Sequence, residues 1–589
     1  MTNLLPPAAI FVIGAFFIPF IKGRIKSAYM LLLPVIAFIS LLKMPEGKYW
    51  IVQILDYDLI FGRVDRLSMV FGYIFTIISF IGVLFALRVE DDLQHVSALV
   101  YAGSALGVTF AGDLISVYIF WELMAIASTF LVLARRTKAS QAAAFRYILV
   151  HVFGGLSLLA GIIIYIQNSG TTEFAYIGLS GTASWFIFIG IALNAAIPPL
   201  HPWLQDAYPE ATVTGAVFLS ALTTKSAVYL MARTFPGAEL LIWVGAFMAV
   251  FPILYAILEN DIRRVLSYSI INQGGFMMIG IGIGTALAIN GTISHAFCCI
   301  LYTALLFMAA GSVLHMTGRI RCTELGGLYK TMPLTCLFCM IGGASISAFP
   351  LSCGFISKSM IISASAHEKL PIIWLALELA SAGAFLHAGL KVAFFTFFGR
   401  DSGIGAKEPP VNMLLAMGIA AFLCVFIGVF PGYLYSILPH PVDYVPYTLS
   451  HVAGQLQLVL FSALAFYLLI LSGYYPAEMR AIHLEVDWFY RKGGRLFYYI
   501  MDSGLNGLNE ISERVFARAI PARLGELSKM PITSLIAVYM RARGRDRLAI
   551  ESFRKETRPE AATLMPVGTP VFISLVFLFS LFVLFVSVT

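Results

Sequence analysis

Charged residues are scarce in this chain of 589 residues. Only 12% of the residues are Asp, Glu, Lys or Arg, whereas 59% are hydrophobic. Because about a quarter of a typical soluble domain is charged, this shortage excludes intrinsic disorder, a coiled coil and an ordinary cytosolic enzyme. A bilayer-spanning helix needs roughly 20 apolar residues, and the chain holds about fifteen or sixteen such stretches. The composition therefore predicts an all-α polytopic membrane protein.

The motifs of redox and nucleotide chemistry are also missing. The glycine-rich run 280–284 lies inside an apolar stretch and follows no predicted strand, so it is not a dinucleotide-binding fingerprint. Cys336 and Cys339 form a Cys-x-x-Cys pair, but no second pair stands at metal-binding spacing. We therefore expect no cofactor, no metal site and no redox chemistry of the chain's own. The net charge of +7 is small and its basic residues lie between apolar runs, so we expect no nucleic-acid partner.

The apolar runs predict where the chain crosses the membrane. The first run is interpreted as a span, because it lacks the basic start and the cleavage site of a signal peptide. The predicted spans before residue 475 are 4–22, 28–43, 66–88, 95–111, 113–134, 146–166, 183–200, 211–233, 239–258, 264–285, 289–315, 332–350, 371–398, 411–435 and 454–474.

The composition changes after these spans. Residues 475–565 contain 15 Lys or Arg and 11 Asp or Glu. Apolar residues such as Trp488, Leu496 and Phe516 still recur every three or four positions, which predicts an amphipathic helix. Such a helix lies at a membrane interface or packs along other subunits. The apolar run 571–588 predicts a terminal transmembrane anchor.

Two predicted spans contain proline-rich interruptions. Pro198 and Pro199 lie near the end of span 183–200, and Pro350 ends span 332–350. Proline removes a backbone donor and clashes with the preceding turn. In lipid such a break persists only where protein or water satisfies the freed polar groups, and secondary transporters place ion sites there. The interruptions therefore indicate either broken helices at an ion path or a pair of packing kinks.

Ionisable residues lie inside several predicted spans. Each such group costs free energy in the bilayer, so each is a candidate functional residue. An acid, a base, a histidine and a further base on distinct helices suit a proton relay, because histidine carries protons near neutral pH. The alternatives are structural hydrogen bonds, a snorkelling Lys391 and a Lys358 that caps carbonyls. The candidates are Glu122, His151, Lys225, His295, Lys358, His387 and Lys391.

Five motifs resemble those of the proton-conducting antiporter-type subunits of respiratory complex I, membrane-bound hydrogenases and Mrp-type cation/proton antiporters. The likeness runs from about residue 60 to 400 and is strongest to the D-type subunits of the Mrp Na⁺/H⁺ antiporter. The motifs are Phe-Trp-Glu-Leu-Met at 120–124, Pro-Leu-His-Pro-Trp-Leu-Gln-Asp-Ala-Tyr-Pro at 199–209, Thr-Thr-Lys-Ser-Ala-Val-Tyr at 223–229, Asp-Ile-Arg-Arg-Val-Leu-Ser-Tyr at 261–268 and Ala-Leu-Leu-Phe-Met-Ala-Ala-Gly at 304–311.

The resemblance implies about 14 core transmembrane helices, with two inverted five-helix repeats that each contain a broken helix. An amphipathic lateral helix and a C-terminal transmembrane anchor complete the expected fold. The implied divisions are N-terminal helices at 1–94, the first repeat at 95–235, the second repeat at 236–400, further core helices at 401–474, the lateral segment at 475–564 and the anchor at 565–589.

The resemblance also assigns roles to residues. Glu122 matches the key membrane glutamate of the family, Lys225 the lysine of the eighth helix and His295 the first histidine of the second half. Lys391 falls near the terminal titratable residue of the twelfth helix. His201 lies in the motif at 199–209.

Three positions depart from the family pattern. A lysine is usual where this chain has Asn194, and a histidine and a lysine are usual where it has Cys299 and Thr303. The chain is therefore neutral at three positions that are usually titratable. Lys225 is the remaining candidate partner for Glu122.

We expect a membrane subunit that translocates protons, with or without coupling to Na⁺, within a multi-subunit complex in a bacterial or archaeal cytoplasmic (inner) membrane. Its expected partners are other membrane subunits, protons, Na⁺ and the lipid bilayer. One alternative is a scaffold subunit that has lost conduction. The other is the ion-pumping arm of a quinone- or hydrogenase-linked oxidoreductase.

Overall fold

The computed structural model describes residues 5–55, 57–474, 486–529, 531–557, 571–572 and 574–581. The chain divides into two compact units, residues 1–485 and 486–589, and each is described by itself. In the described part, ten helical stretches are long and apolar enough to span a membrane. Together with the family comparison below, these stretches confirm the prediction of a helical multi-pass membrane protein.

The first unit is a helical bundle. Its elements are α1 (Pro7–Phe17), α2 (Gly23–Leu42), β1 (Gly47–Ile54), β2 (Tyr57–Val64), α3 (Arg66–Ala86), α4 (Asp92–Phe110), α5 (Leu114–Leu133), α6 (Lys138–Ser169), α7 (Gly181–Asn194), α8 (Pro202–Ala207), α9 (Gly215–Ala221), α10 (Thr223–Thr234), α11 (Glu239–Leu258), α12 (Ile262–Ile283), α13 (Ala286–Thr317), α14 (Pro333–Ile346), α15 (Cys353–His367), α16 (Pro371–Ala384), α17 (Val411–Val429), α18 (Pro431–Tyr435) and α19 (Leu449–Leu471).

Helix caps show that one half of the bundle repeats the other. Asp113 caps α5 and Asp261 caps α12, 148 positions later, by accepting hydrogen bonds from the first backbone N–H groups. Thr137 and Thr285 cap the 32-residue helices α6 and α13 at the same offset. These matched caps place α4–α10 and α11–α16 in correspondence.

Both predicted interruptions are broken helices. The 14-residue helix α7 ends at Asn194 before α8, and the 14-residue helix α14 ends at Ile346 before α15. The backbone turns at Ala196 in the first break and at Ala348 in the second, each with φ of 55°. Each break leaves backbone carbonyls without helical hydrogen-bond partners, and buried side chains donate to some of them.

Three features differ from the predicted spans. Strands β1 and β2 form an antiparallel hairpin, with Gly47 opposite Val64, in a stretch without a predicted element. The predicted span 211–233 is divided at Leu222 into α9 and α10. The predicted span 371–398 changes from α16 into π-helical segments at Phe385–Lys391 and Phe394–Phe398. A π-helical turn is uncommon and often marks a functional site.

The second unit is helical where it is described. Its helices are α20 (Asp487–Tyr499), α21 (Asn506–Ser512), α22 (Ile520–Lys529), α23 (Pro531–Ala542) and α24 (Arg547–Glu556), with π-helical segments at Ile500–Leu505 and Glu513–Ala519. Residues 571–572 and 574–581 are helical too. The rest of the predicted anchor and residues 475–485 lie outside the described residues.

Candidate functional site

The carboxyl group of Glu122 lies against a glycine. Glu122 belongs to α5, and its Oε1 sits over Gly155 of α6, where a Cβ atom would stand 1.7 Å from that oxygen. Only glycine leaves room for the carboxyl group here. Oε1 is buried and has no hydrogen-bond partner among the described residues. The group is therefore held between two membrane helices with unused hydrogen-bonding capacity.

Lys225 does not form the expected pair with Glu122. Its Nζ donates to the backbone carbonyl of Ser220 at 2.8 Å, across the division between α9 and α10. In the described part of the chain, no ion pair joins the two side chains. The reason is local: the division at Leu222 leaves carbonyls near the end of α9 without helical partners, and the buried ammonium group satisfies one of them.

His295 and Cys299 lie one turn apart on α13, between the two repeats. His295 Nδ1 is 3.0 Å from Ser357 Oγ on α15, and the imidazole interacts electrostatically with Lys358 and Lys225. Cys299 neighbours the same two lysines. The two residues therefore interact with a lysine of each repeat.

Lys358 bridges the second break. Its Nζ donates to the carbonyl of Ile346, the last residue of α14, at 2.6 Å and lies 4.9 Å from the ring centre of Phe276. The side chain is fully buried on α15. Lys358 thus holds the two halves of the broken helix together while it interacts with His295.

Lys391 is held at the end of another helix. Its Nζ donates to the carbonyls of Ile257 and Glu259, each at 2.6 Å, at the C-terminus of α11. A helix C-terminus attracts a cation, because its unpaired carbonyls carry partial negative charge. His387 lies four residues earlier in the π-helical segment and interacts electrostatically with both Lys391 and Lys358. The two residues extend the series of charges along α16.

The remaining candidates lie around the first break. His151 is buried on α6, and its Nδ1 is 2.9 Å from the carbonyl of Tyr147. Asn194 is buried at the end of α7, and its amide oxygen and nitrogen have no hydrogen-bond partner among the described residues. His201 precedes α8 and packs edge-to-face on Phe251, with ring centroids 4.9 Å apart. Buried polar atoms of this kind are usually satisfied by water in membrane proteins.

Glu378 is a functional candidate that the sequence interpretation missed. It lies on α16 and interacts electrostatically with Lys358. It also lines a cleft of about 780 Å³ between α15, α16 and α19. The polar side chains that line the cleft include Ser359, Ser363, Glu378, His451, Gln455 and Ser462.

Gln455 fixes α19 against the second break. Its Nε2 donates to the carbonyl of Ser347 at 3.1 Å, just beyond the end of α14. The cleft extends along α15 from Phe355 beside the break to Ala366 near the helix end, which is about 16 Å of helix. That length is about half of a hydrocarbon core of roughly 30 Å. The cleft therefore connects the middle of the bundle with one of its ends.

The comparison with protein families matches the central part of the chain. Residues 111–383 match the family described as "NADH:quinone oxidoreductase/Mrp antiporter, TM". This segment contains both broken helices and the residues from Glu122 to Glu378. The comparison confirms the family resemblance of the sequence motifs.

Individual relatives carry antiporter names. The chain is 30% identical over 429 residues to the A-type subunit of the Na⁺/H⁺ antiporter of Alkalihalophilus pseudofirmus, covering 64% of this chain and 53% of that protein. It is 29% identical over 315 residues to the D-type subunit of the Na⁺/H⁺ antiporter of the same organism, covering 50% of this chain and 64% of that protein. The chain spans between 40% and 61% of the length of the first three curated relatives it matches.

Solved structures share the fold. A chain of the Mrp complex from Dietzia sp. superposes with a TM-score of 0.64 at 18% identity, and the match covers 74% of this chain and 96% of that chain. A chain of the membrane-bound sulfane sulfur reductase, an archaeal respiratory membrane complex, superposes with a TM-score of 0.70 at 22% identity, covering 91% and 99%. Residues 111–383 of the chain therefore resemble the family described as NADH:quinone oxidoreductase/Mrp antiporter, and the chain shares its helical fold with these two membrane complexes.

Proposed function

We propose that this chain is a membrane subunit that translocates protons within an Mrp-type or complex I-like assembly. The observation that carries the proposal is a series of ionisable groups on different membrane helices, of which Glu122 is half-buried and the others are buried. Their order is Glu122, Lys225, His295, Lys358 and Lys391. Groups of this kind are costly in a bilayer and mark ion pathways when they face the interior of a bundle.

Glu122 and Lys225 form the entry half of the proposed path. Neither side chain neutralises the other by direct contact, and Oε1 of Glu122 retains hydrogen-bonding capacity. A proton on Glu122 and an unprotonated Lys225 can therefore exchange through water or polar side chains. The carbonyl of Ser220 stabilises Lys225 when it is charged.

His295 transfers the charge to the second repeat. It interacts electrostatically with both Lys225 and Lys358, so a positive charge on either lysine disfavours a proton on the imidazole. From Lys358, two branches continue: His387 and Lys391 lead toward the end of α11, and Glu378 leads into the cleft. We propose that the cleft is the exit, because Glu378 and several other polar side chains line it and it extends to the end of α15.

The distribution of basic residues suggests which face is cytoplasmic. Lys and Arg accumulate in cytoplasmic loops. Arg135, Arg136 and Lys138 lie between α5 and α6, while Arg319 and Arg321 follow α13, and these loops share one face in the repeat topology. We therefore place this face in the cytoplasm. The cleft then opens to the opposite, external face, where α15 ends.

A cysteine introduced into the cleft is expected to react from outside. All seven native cysteines are buried, so the background labelling is low. Ser363→Cys is expected to react with a membrane-impermeant maleimide added to intact cells, because Ser363 lines the cleft. Ser381→Cys on α16 is the control, because Ser381 is 1% exposed and does not line the cleft. Equal labelling of both variants, or labelling of Ser363→Cys only from the cytoplasmic side, would contradict the proposed exit.

Neighbouring glycines of α6 provide a test of the entry half. Gly155→Ala is expected to reduce proton flux about tenfold or more, because the methyl group displaces the Glu122 carboxyl group from its position. At Gly154, an added Cβ would meet only the Leu193 side chain at 3.3 Å, so Gly154→Ala is the matched control. Flux is measured with a pH-sensitive dye in everted membrane vesicles under an imposed pH gradient. Equal flux from the two variants would count against the position proposed for Glu122.

The proposed partners are other membrane subunits. Relatives are named as antiporter subunits, and both structural neighbours come from multi-subunit complexes. We further propose coupling of proton movement to Na⁺ and a location in the cytoplasmic membrane of a bacterium or archaeon. These assignments follow from the names of the relatives.

A scaffold role is the second candidate function. It is favoured by the neutral Asn194 in the first broken helix, where the family resemblance implies a lysine. A scaffold subunit maintains the assembly without conducting protons. It therefore predicts that removal of the Glu122 charge leaves proton flux unchanged, which is the opposite of the result expected for a conducting subunit.

A further inference from the structure

The neutral residue at position 194 leaves the entry half without a titratable group beside the first break. An amide neither gains nor loses a proton near neutral pH. Glu122 and Lys225 form no direct contact either. Protons that pass between these two residues are therefore carried by other side chains, by water or by both.

Helix α6 presents a row of suitable groups. Tyr147, His151 and Gly155 are four residues apart, so they share one face and follow one another at about 6 Å along the helix axis. The rings of Tyr147 and His151 stack with centroids 3.9 Å apart. The carboxyl group of Glu122 lies over Gly155. A phenol, an imidazole and a carboxyl group are thus in succession.

The hydrogen bond of His151 fixes its tautomer. Nδ1 is 2.9 Å from the backbone carbonyl of Tyr147, and a carbonyl only accepts, so Nδ1 carries a hydrogen. In the neutral ring, Nε2 is then the acceptor. Nε2 is buried and has no hydrogen-bond partner among the described residues. The side chain is 2% exposed, so this acceptor is directed into the interior of the bundle.

Hydroxyl groups continue the row toward Lys225. The Tyr147 hydroxyl lies 2.9 Å from Ser128 Oγ, and the Tyr101 hydroxyl lies 2.5 Å from Thr223 Oγ1. Tyr147 and Thr223 also interact through their side chains. Thr223 begins α10, two residues before Lys225. Each hydroxyl both donates and accepts, so a chain of them passes a proton without a net charge on any oxygen.

We propose that His151 and the hydroxyl groups of Tyr147 and Thr223 carry protons between Glu122 and Lys225, in place of a titratable side chain at position 194. This inference rests on the proposed function. The proton leaves the Glu122 carboxyl group, binds Nε2 of His151 through water and leaves from the same nitrogen. Each hydroxyl accepts one proton and releases its own. The transfer ends with a carboxylate at Glu122 and an ammonium group at Lys225.

Two variants separate this role from packing. His151→Phe keeps an aromatic ring against Tyr147 and Trp203 but removes both nitrogens. Tyr147→Phe removes a single oxygen. Each is expected to lower proton flux in everted vesicles about tenfold or more, the usual scale of a lost proton-transfer group. Tyr165→Phe, the same change further along α6, is expected to keep the wild-type flux.

Two further measurements distinguish a relay from a structural effect. The double variant is expected to conduct no worse than the poorer single variant, because the groups act in series. Asn194→Lys is expected to restore flux in the His151→Phe background, since it supplies a titratable group beside the break. The amount of assembled complex is measured on native gels. If His151→Phe lowers this amount, the proton flux of Tyr147→Phe is used to test the relay instead.

The inference is overturned if His151→Phe and Tyr147→Phe both conduct within twofold of the wild type while Glu122→Gln blocks flux. In that case the proposed function stands and the relay is wrong. If Glu122→Gln also conducts normally, proton translocation by this chain is itself refuted. The two failures are therefore distinguishable in a single series of vesicles.

Discussion

Glu122→Gln is expected to lower proton flux through the assembled complex about a hundredfold, the scale of a lost acid–base group. Glutamine has nearly the same shape as glutamate and fits over Gly155, so packing is preserved. It cannot release a proton, however, and the entry half then has no acid. The measurement is the decay of an imposed pH gradient in everted membrane vesicles, followed with a pH-sensitive dye.

Glu173→Gln is the matched control for this prediction. Glu173 lies in the loop between α6 and α7, and its side chain forms an exposed ion pair with Lys48, at 3.5 Å. An exposed pair of this kind contributes little to stability. We expect wild-type flux from this variant. Unchanged flux in Glu122→Gln would favour the scaffold function instead.

Lys358→Met is expected to abolish flux through the second repeat. Methionine preserves the length and apolar stem of lysine, but it removes the charge that lies between His295 and Glu378. The carbonyl of Ile346 also loses its donor, and an unsatisfied buried carbonyl costs about 1–3 kcal/mol. The loss of an unfavourable buried charge offsets part of this cost. We therefore expect the complex to assemble without conducting.

Lys330→Met is the control for Lys358→Met. Lys330 is exposed beside Asp401, at 3.2 Å, in a loop outside the spans. The decisive comparison is proton flux per assembled complex. If Lys358→Met conducts as well as Lys330→Met, Lys358 acts only as a cap for α14 and the path has to bypass it.

The membrane character and both broken helices are predictable from the sequence. Apolar runs are long because lipid offers no partner for backbone groups, and the prolines at 198, 199 and 350 cannot continue a helix. The division at Leu222 is not predictable in this way, because Ala221, Leu222 and Thr223 include no proline or glycine. At this division the buried ammonium group of Lys225 donates to the carbonyl of Ser220, a contact that the residue types alone do not predict.

The sequence predicts which residues belong to the candidate site better than it predicts which groups those residues contact. A charged residue inside an apolar run is a candidate by its residue type alone, and this applies to Glu378 as well as to Glu122. Lys225, the candidate partner of Glu122, donates to a backbone carbonyl instead, because carbonyls at helix ends compete for buried ammonium groups. Tyr147 carries no sequence signal, since buried tyrosines are common in helix packing.

The most direct test of the central claim is the proton flux of the native assembly. The full chain is purified from its own membranes in mild detergent together with the subunits that accompany it, and the assembly is reconstituted into liposomes. If the chain translocates protons, an imposed pH gradient decays faster than in protein-free liposomes. The accompanying subunits then show whether a redox reaction or an ion gradient drives transport. Decay at the rate of protein-free liposomes, with the assembly intact, would contradict proton translocation by this chain.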